Sequence, residues 1–436
     1  MKKPKIVLVG AGSHSFGLMM LKDLMDTPEL HGSQVVLVDI VADKLERMTR
    51  LAQRLNEIWK ADLKISASTD RREVLPGADI VVTSVERKHY ELWQLDIAIP
   101  EKHGCRHLYG ENGGPGGMFH TLRQIPLLME IARDMERLCP DAWLLNLSNP
   151  ESRLCLAVSR YTKVKNVGIC LGAYITQNNL AHVLGLKQED IDIKVSGINH
   201  CHWVMDVRRT GTGEDLYPEV RKRIETVDPK WEPLSRECLK RFGYYPGPAD
   251  THVGEYLGWG WKYLRPEQTD WIFRGDQDEK IRESQVEALS KRTGPFNDEE
   301  TKLLKGLLIE GGLRWQTIDI LLSLLDNGNR YILSLNLPND GYVSNLKPGA
   351  IVEIPAIVGA DRIYGLQMGE LPTAIAGALD LQTYIMDLVV DAAVLGDRQA
   401  ALEALIIDPN VPSPDAAEKI LDEMLIAQAG YLPQFS

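Results

Sequence analysis

A thiol at Cys170 and an imidazole at His200 each close an apolar, strand-like segment, Val167-Gly168-Ile169 and Val195-Ser196-Gly197-Ile198-Asn199. One soft and one borderline ligand at two strand ends can share a divalent cation, leaving other positions to substrate oxygens. Read singly, such residues are more often a small buried hydrophobe and a hydrogen-bonded core histidine. A second concentration lies in Gly247-Pro248-Ala249-Asp250-Thr251-His252-Val253-Gly254-Glu255-Tyr256. A carboxylate, an imidazole and a phenol so close together are materials for general base catalysis. Asp250 is equally suited to an N-cap.

Two loops carry further polar groups. Gly110-Glu111-Asn112-Gly113-Gly114-Pro115-Gly116-Gly117 has five glycines in eight residues, a composition expected to form neither helix nor packed strand. It precedes a long amphipathic helix, and a helix N-terminus in an α/β sheet faces the ligand crevice, which makes Glu111 the ionisable candidate there. Leu145-Asn146-Leu147-Ser148-Asn149-Pro150-Glu151 ends a buried strand in two amides and a proline. Asn149 is placed there for hydrogen bonds to a cofactor ribose or a sugar hydroxyl, although turn chemistry alone also favours Asn-Pro.

The clearest signal is at the N-terminal end. Lys5-Ile6-Val7-Leu8-Val9 runs into Gly10-Ala11-Gly12-Ser13, and Val35-Val36-Leu37-Val38 ends on Asp39. Glycine lets the backbone turn tightly against a pyrophosphate, the next helix N-terminus offers free N–H groups, and a carboxylate closing the second strand holds ribose hydroxyls. The spacing departs from a strict GxGxxG because position 15 is Ser. Gly10, Gly12, Ser13 and Asp39 therefore predict a bound dinucleotide, NAD rather than NADP, since Asp39 would repel a 2′-phosphate.

These residues need a scaffold of alternating strands and helices. Strands are expected at Lys5–Val9, Val35–Val38, Ile80–Ser84, Trp143–Asn146 and Lys165–Cys170, with helices through Met19–Met25, Asp43 to about Lys60, and Arg123–Leu138. Such alternation predicts an α/β fold, a doubly wound Rossmann sheet, mostly parallel. From Asp192 the pattern becomes α+β, with strands at Ile193–Ile198, Tyr331–Leu337 and Ala350–Pro355 and closing helices at Ala374–Leu395 and Pro414–Ala427. A Rossmann domain over 1–190 and an α+β substrate, metal and oligomerisation domain over 191–436 follow, the two-lobe arrangement of lactate and malate dehydrogenases.

At 436 residues, two packed lobes suit the chain better than one core. A net charge of -12 argues against nonspecific nucleic-acid or anionic-membrane partners. No apolar run approaches the roughly 20 residues of a membrane helix, and a core strand begins too early for a signal peptide. The six cysteines show no paired spacing, so a reduced, cytoplasmic enzyme is expected.

In combination these blocks resemble the NAD- and manganese-dependent glycoside hydrolases of family 4, over essentially the whole chain. Gly10–Ser13, Gly114–Gly117, Asn149-Pro150, Cys170 and Gly197–His200 stand in the family's order, and the likeness continues through Leu335–Gly341 into the C-terminal helices. Members of this kind depart from the two-carboxylate scheme of most glycosidases. The resemblance implies oxidation of the sugar's C3 hydroxyl by NAD, removal of the acidified C2 proton, elimination of the aglycone, addition of water, and return of the hydride. It also implies Mn²⁺ beside the C2 and C3 oxygens. By position it makes Cys170 and His200 metal ligands, puts Asn149 and His252 at the sugar, and matches Asp250 to the base of members acting on unphosphorylated α-glycosides. Phosphoglycoside members use a tyrosine there. A homodimer or homotetramer is implied by the same analogy.

One departure stands out. The residue after the metal-ligating Cys is His, Asp or Asn in the family and Leu171 here, in Cys170-Leu171-Gly172-Ala173. Leucine donates no proton, so Glu111 replaces it as leaving-group acid, with His202 or His252 behind it. The expected substrate is a small α-galactoside, α-glucoside or α-uronide, the last met by basic side chains of Glu86-Arg87-Lys88-His89. The competing readings are an NAD-dependent sugar dehydrogenase without net hydrolysis and a non-enzymatic nucleotide sensor.

Overall fold

The computed structural model describes residues 3–13, 16–87, 89–308 and 316–435; Lys88 lies outside them. Six strands build the first part of the sheet: β1 (Lys5–Val9), β2 (Gln34–Val38), β3 (Lys64–Ser68), β4 (Ile80–Thr83), β5 (Trp143–Asn146) and β6 (Lys165–Gly168). All pair in parallel, in the order β3-β2-β1-β4-β5-β6. This is the doubly wound order whose ligand crevice lies beyond the carboxyl ends of the strands. Helices cover both faces, so β1 reads as an unbroken apolar run with Ile6 and Val7 fully buried. Burial of each such side chain contributes about 1.5–3 kcal/mol.

The second part has β7 (Ile191–Ile198), β8 (Cys201–Arg209), β9 (Pro246–Gly247), β10 (Arg330–Pro338), β11 (Ile351–Val358) and β12 (Ile363–Gly365). They continue the same sheet, antiparallel, from β6 in the order β10-β11-β7-β8-β9, with β12 on β11. One sheet therefore runs through both expected lobes, and pairing changes from parallel to antiparallel at the β6–β10 junction. The α/β class and the parallel Rossmann half are as the sequence predicts.

Helix placement follows burial periodicity. In Ala42–Trp59 the residues Leu45, Met48, Leu51, Ala52 and Leu55 form one buried stripe, and the helix ends at Lys60 in the left-handed region. The glycine-rich segment departs from expectation. Gly114, Pro115, Gly116 and Gly117 are the first turn of the helix Gly114–Leu138 rather than a free loop. A Cβ at Gly117 would stand 2.4 Å from the Asn112 carbonyl carbon, and one at Gly116 2.7 Å from Asp96 O. These glycines serve close packing, which offsets their helix cost of about 1 kcal/mol each. Helices Glu151–Tyr161 and Gly172–Leu184 follow β5 and β6, and Thr373–Leu395 packs on Gly114–Leu138. No helix among the described residues is long and apolar enough to cross a membrane.

Candidate active site

At the carboxyl end of β1 the chain turns through Gly10 at φ +88°. A Cβ there would lie 1.9 Å from Ser84 O, and one at Gly12 2.6 Å from Asp39 Oδ2. Only glycine fits at Gly10, where the clash is with backbone, and a Cβ at Gly12 would push the Asp39 carboxylate aside; both leave bare backbone in front of the helix Phe16–Met25. The Gly10 and Ala11 N–H groups donate to Val38 O at 2.9 and 3.0 Å, and Ser13 N–H to Gly10 O at 3.1 Å. Asp39 accepts from Gly12 N–H and Val41 N–H, each at 2.9 Å. Its half-buried carboxylate thus stands against the glycine turn. An open cleft lined by Gly10, Ala11, Gly17, Ser84 and Leu147 continues from this turn along the strand ends.

Further along the same edge, Glu111, His200 and His252 bring one ligand atom each within 4.8 Å of one another. His200 occupies the two-residue turn between β7 and β8, where Ile198 pairs with Cys201. Its φ is +62°, a conformation histidine tolerates better than bulky residues do. The Asn112 amide bridges His200 Nδ1 and Glu111 Oε2, both at 2.7 Å. Asn149 Nδ2 donates to Glu111 Oε1 at 3.2 Å, across the residue pair joined by a cis peptide to Pro150. Glu111 Oε2 is 3.7 Å from His200 Nδ1 and 3.5 Å from His252 Nδ1, and the two imidazole rings are 4.1 Å apart.

Burial sets the protonation of this group. It pushes the Glu111 carboxyl up, against the pull of His120 and His89. It lowers His252 to about 4 and, with His252 and His202 adding, holds His200 well below its ordinary value. Two neutral imidazoles therefore face a carboxyl that holds its proton more tightly than usual. His252 Nδ1 is buried with no hydrogen-bond partner.

The other expected residues are placed differently. The half-buried Cys170 thiol accepts from Gly172 N–H at 3.2 Å and lies within hydrogen-bond reach of Asn199, the neighbour of His200. Burial, then Glu353 and Glu151, raise its pKa well above the thiol norm. It does not join the three-residue group. Leu171 is the N-cap of Gly172–Leu184 and packs into the Rossmann-side core. His202 is fully buried, its Nε2 committed to Thr176 Oγ1 at 2.9 Å, while its Nδ1, 3.3 Å from Glu353 Oε2, makes no hydrogen bond. Asp250 begins the short helix Asp250–Val253 but caps another. Its carboxylate accepts from Leu234 N–H at 2.7 Å, Ser235 N–H at 2.8 Å and Ser235 Oγ at 2.8 Å, at the start of Pro233–Phe242. Burial and then Asp250 raise Glu232 to about 8, and its Oε2 accepts from Asp250 N–H at 2.7 Å. The three hydrogen bonds to Leu234 and Ser235 tie the Asp250 carboxylate to a helix start, a capping arrangement rather than the free base expected of it.

Three contributors escaped the sequence reading. Glu255, fully buried, accepts from Glu111 N–H at 2.6 Å and Asn112 N–H at 3.2 Å, pinning the segment that carries Glu111. His120 Nδ1 bonds Glu111 O at 2.8 Å, while Glu86 lies 3.2 Å from His120 Nε2 and 2.5 Å from His89 Nδ1. Tyr109 meets the His252 ring edge-on at 4.9 Å. The i, i+3 spacing of His252 and Glu255, one face of a helical turn, was the available signal for Glu255.

A dinucleotide-type glycine turn and, along one sheet edge, a carboxyl held between two neutral imidazoles define a cofactor-assisted enzyme acting on a small polar substrate. The comparisons make this specific. The Family 4 glycosyl hydrolase profile matches residues 5–186 and the Family 4 glycosyl hydrolase C-terminal domain profile residues 195–411. The chain belongs to glycosyl hydrolase family 4. It is 31% identical to an alpha-glucosidase of Erwinia rhapontici over 98% of both chains. It is 32% identical to an alpha-galactosidase of Rhizobium meliloti, covering 99% of this chain and 90% of that one. In fold it matches a crystal structure of a 6-phospho-alpha-glucosidase from gut microorganisms in complex with NAD and Mn²⁺, at TM-score 0.83 and 24% identity, over 100% of each chain.

Proposed function

We propose that this chain hydrolyses an unphosphorylated α-glycoside, using NAD and a divalent cation, Mn²⁺, as cofactors. The observation that carries the reading is the convergence of Glu111, His200 and His252 on the edge where the glycine turn opens. A carboxylate oxygen and two imidazole nitrogens suit a divalent cation, and the orphaned His252 Nδ1 lacks the partner that such an ion supplies. Cys170, implied by the family as a ligand beside His200, has its thiol next to Asn199, the neighbour of His200. The backbone at Gly10 and Gly12 suits a pyrophosphate, with Asp39 for the adenosine ribose.

Once bound, the dinucleotide supplies a reversible hydride acceptor for the sugar and the cation supplies positive charge beside its oxygens. The chain's own residues do the rest. Asn149 and the imidazoles orient the sugar hydroxyls, and Asn112 fixes His200 against Glu111. Glu111, its pKa raised by burial in the metal-free chain, gives up its proton when it joins the cation and then helps fix the cation beside the sugar oxygens. The lean to unphosphorylated α-glycosides rests on the names of the two relatives above 30% identity, an alpha-glucosidase and an alpha-galactosidase. Leu171, unable to donate a proton, favours the second reading, a sugar dehydrogenase. Six cysteines without a disulfide, five of them buried, support a reducing, cytoplasmic setting, and a homodimer or homotetramer is carried from the family.

The test is a panel of p-nitrophenyl α- and β-glycosides, glycosiduronic acids and their 6-phosphates, with NAD, Mn²⁺ and reductant. The reading expects turnover of an unphosphorylated α-glycoside without net NADH, abolished by EDTA and restored by Mn²⁺. NADH formed in step with substrate loss supports the dehydrogenase, and full activity in EDTA overturns the metal.

A further inference from the structure

Beyond Glu111 and His252 one flank of the site is aromatic. Tyr109, edge-on to His252 at 4.9 Å, is followed by Trp93, perpendicular to it at 4.9 Å. Trp271 stands perpendicular to Trp93 at 5.3 Å, and Tyr90 to Trp271 at 6.2 Å. The inner pair, Trp93 and Tyr109, is buried, and Trp93 Nε1 donates to Tyr109 O at 2.6 Å, so its polar atom is satisfied internally. The outer pair, Tyr90 and Trp271, is only half-buried. Gly275, the first residue of the helix Gly275–Ser290, lies flush against Tyr90: a Cβ there would come within 2.0 Å of the ring. The outer rings are thus held by backbone and by one another, and still keep surface for a ligand.

We propose that this wall is the leaving-group subsite, with Tyr90 and Trp271 receiving the flat apolar face of a second pyranose or of an aryl aglycone. The proposal rests on the glycosidase reading above. Its chemistry is simple: the C–H face of a sugar or an aromatic ring packs on rigid aromatic side chains, and polar groups elsewhere in the pocket fix orientation. The order of contacts, Glu111 to His252 to Tyr109 to the outer rings, puts the wall beside the sugar whose bond is cut.

The experiment measures calorimetric Kd values for methyl and phenyl α-D-glucopyranoside and α-D-galactopyranoside. The full chain is loaded with NADH and Mn²⁺, so that sugar oxidation does not start. Wild type is expected to bind the phenyl compound of its preferred sugar about tenfold more tightly than the methyl one. Trp271→Ala and Gly275→Ala, the second acting by displacing Tyr90, reduce that ratio to about twofold and leave the methyl Kd unchanged. No phenyl preference in wild type, a preference that survives both substitutions, or equal weakening of both glycosides overturns the proposal. Turnover by the NAD-loaded wild type is read separately. Its absence would defeat the glycosidase reading, while the phenyl-to-methyl ratio still judges the subsite.

Discussion

Asp250→Asn separates a structural from a catalytic carboxylate at a position that the family likeness makes a base. The carboxylate accepts three hydrogen bonds, from Leu234 N–H, Ser235 N–H and Ser235 Oγ. An asparagine whose oxygen takes the Oδ1 position keeps the two Ser235 bonds and turns its NH₂ toward Leu234 N–H. One buried donor is then orphaned, at a cost of about 1–3 kcal/mol. Loss of the negative charge at the start of Pro233–Phe242 costs about 0.5–1 kcal/mol more. The variant should therefore be about 2–3 kcal/mol less stable at about pH 5, where Glu232 contributes little, in urea unfolding followed by tryptophan fluorescence. A second readout comes from Glu232, raised to about 8 by burial and then by Asp250. An acid with a raised folded pKa costs stability as pH climbs from its unfolded value toward the folded one. Removing the Asp250 charge shrinks this cost, so stability should decline less steeply between pH 5 and 8 in the variant. Unchanged stability with activity abolished would refute the capping argument and return Asp250 to the base role.

Two more outcomes follow from the site. Burial holds His252 near 4 and His200 well below its ordinary value, so in the metal-free chain the unfolded state takes up protons that the folded state refuses below about pH 6.5. Stability falls as pH drops through that window, by about 2 kcal/mol at pH 5 from His252 alone. His252→Gln should flatten the pH dependence of Tm between 7 and 5, and an unaltered slope would contradict the assigned burial. Glu255→Ala strips the acceptor from the Glu111 and Asn112 N–H groups, each a buried donor worth about 1–3 kcal/mol when orphaned. The segment should let go of its position, and Mn²⁺ affinity by calorimetry should fall by about tenfold or more; wild-type affinity would dismiss Glu255 as its anchor.

The Rossmann half was legible because β1, β2, β4 and β5 are buried on both faces and so written as apolar runs, with a glycine turn whose positive φ at Gly10 has a local cause. The pairing of the second half was not, since β10 and β6 share one register contact across 168 residues of chain separation. Within the site, Glu111, Asn149, His200 and His252 were found by residue type and do meet. Asp250 was read as a base or a cap of its own helix and instead caps a helix that starts 17 residues earlier. Gly114–Gly117 looked too flexible for a helix because composition reports conformational freedom, whereas the contacts at Asp96 and Asn112 demand small size. The anchoring role of Glu255 was not legible, because its spacing from His252 puts it on the same helical face but gives no sign that it faces backbone donors 143 and 144 residues away.

The account's central claim is that the glycosidic bond is loosened by chemistry at the sugar ring's C2 and C3 rather than by direct protonation between two carboxyls. The measurement that meets it most directly is turnover of the active p-nitrophenyl glycoside in D₂O with NAD and Mn²⁺, followed by NMR of the released sugar. Deuterium at C2, with no net NADH, is the expected result. A product that keeps its full complement of hydrogen at C2 would contradict the account.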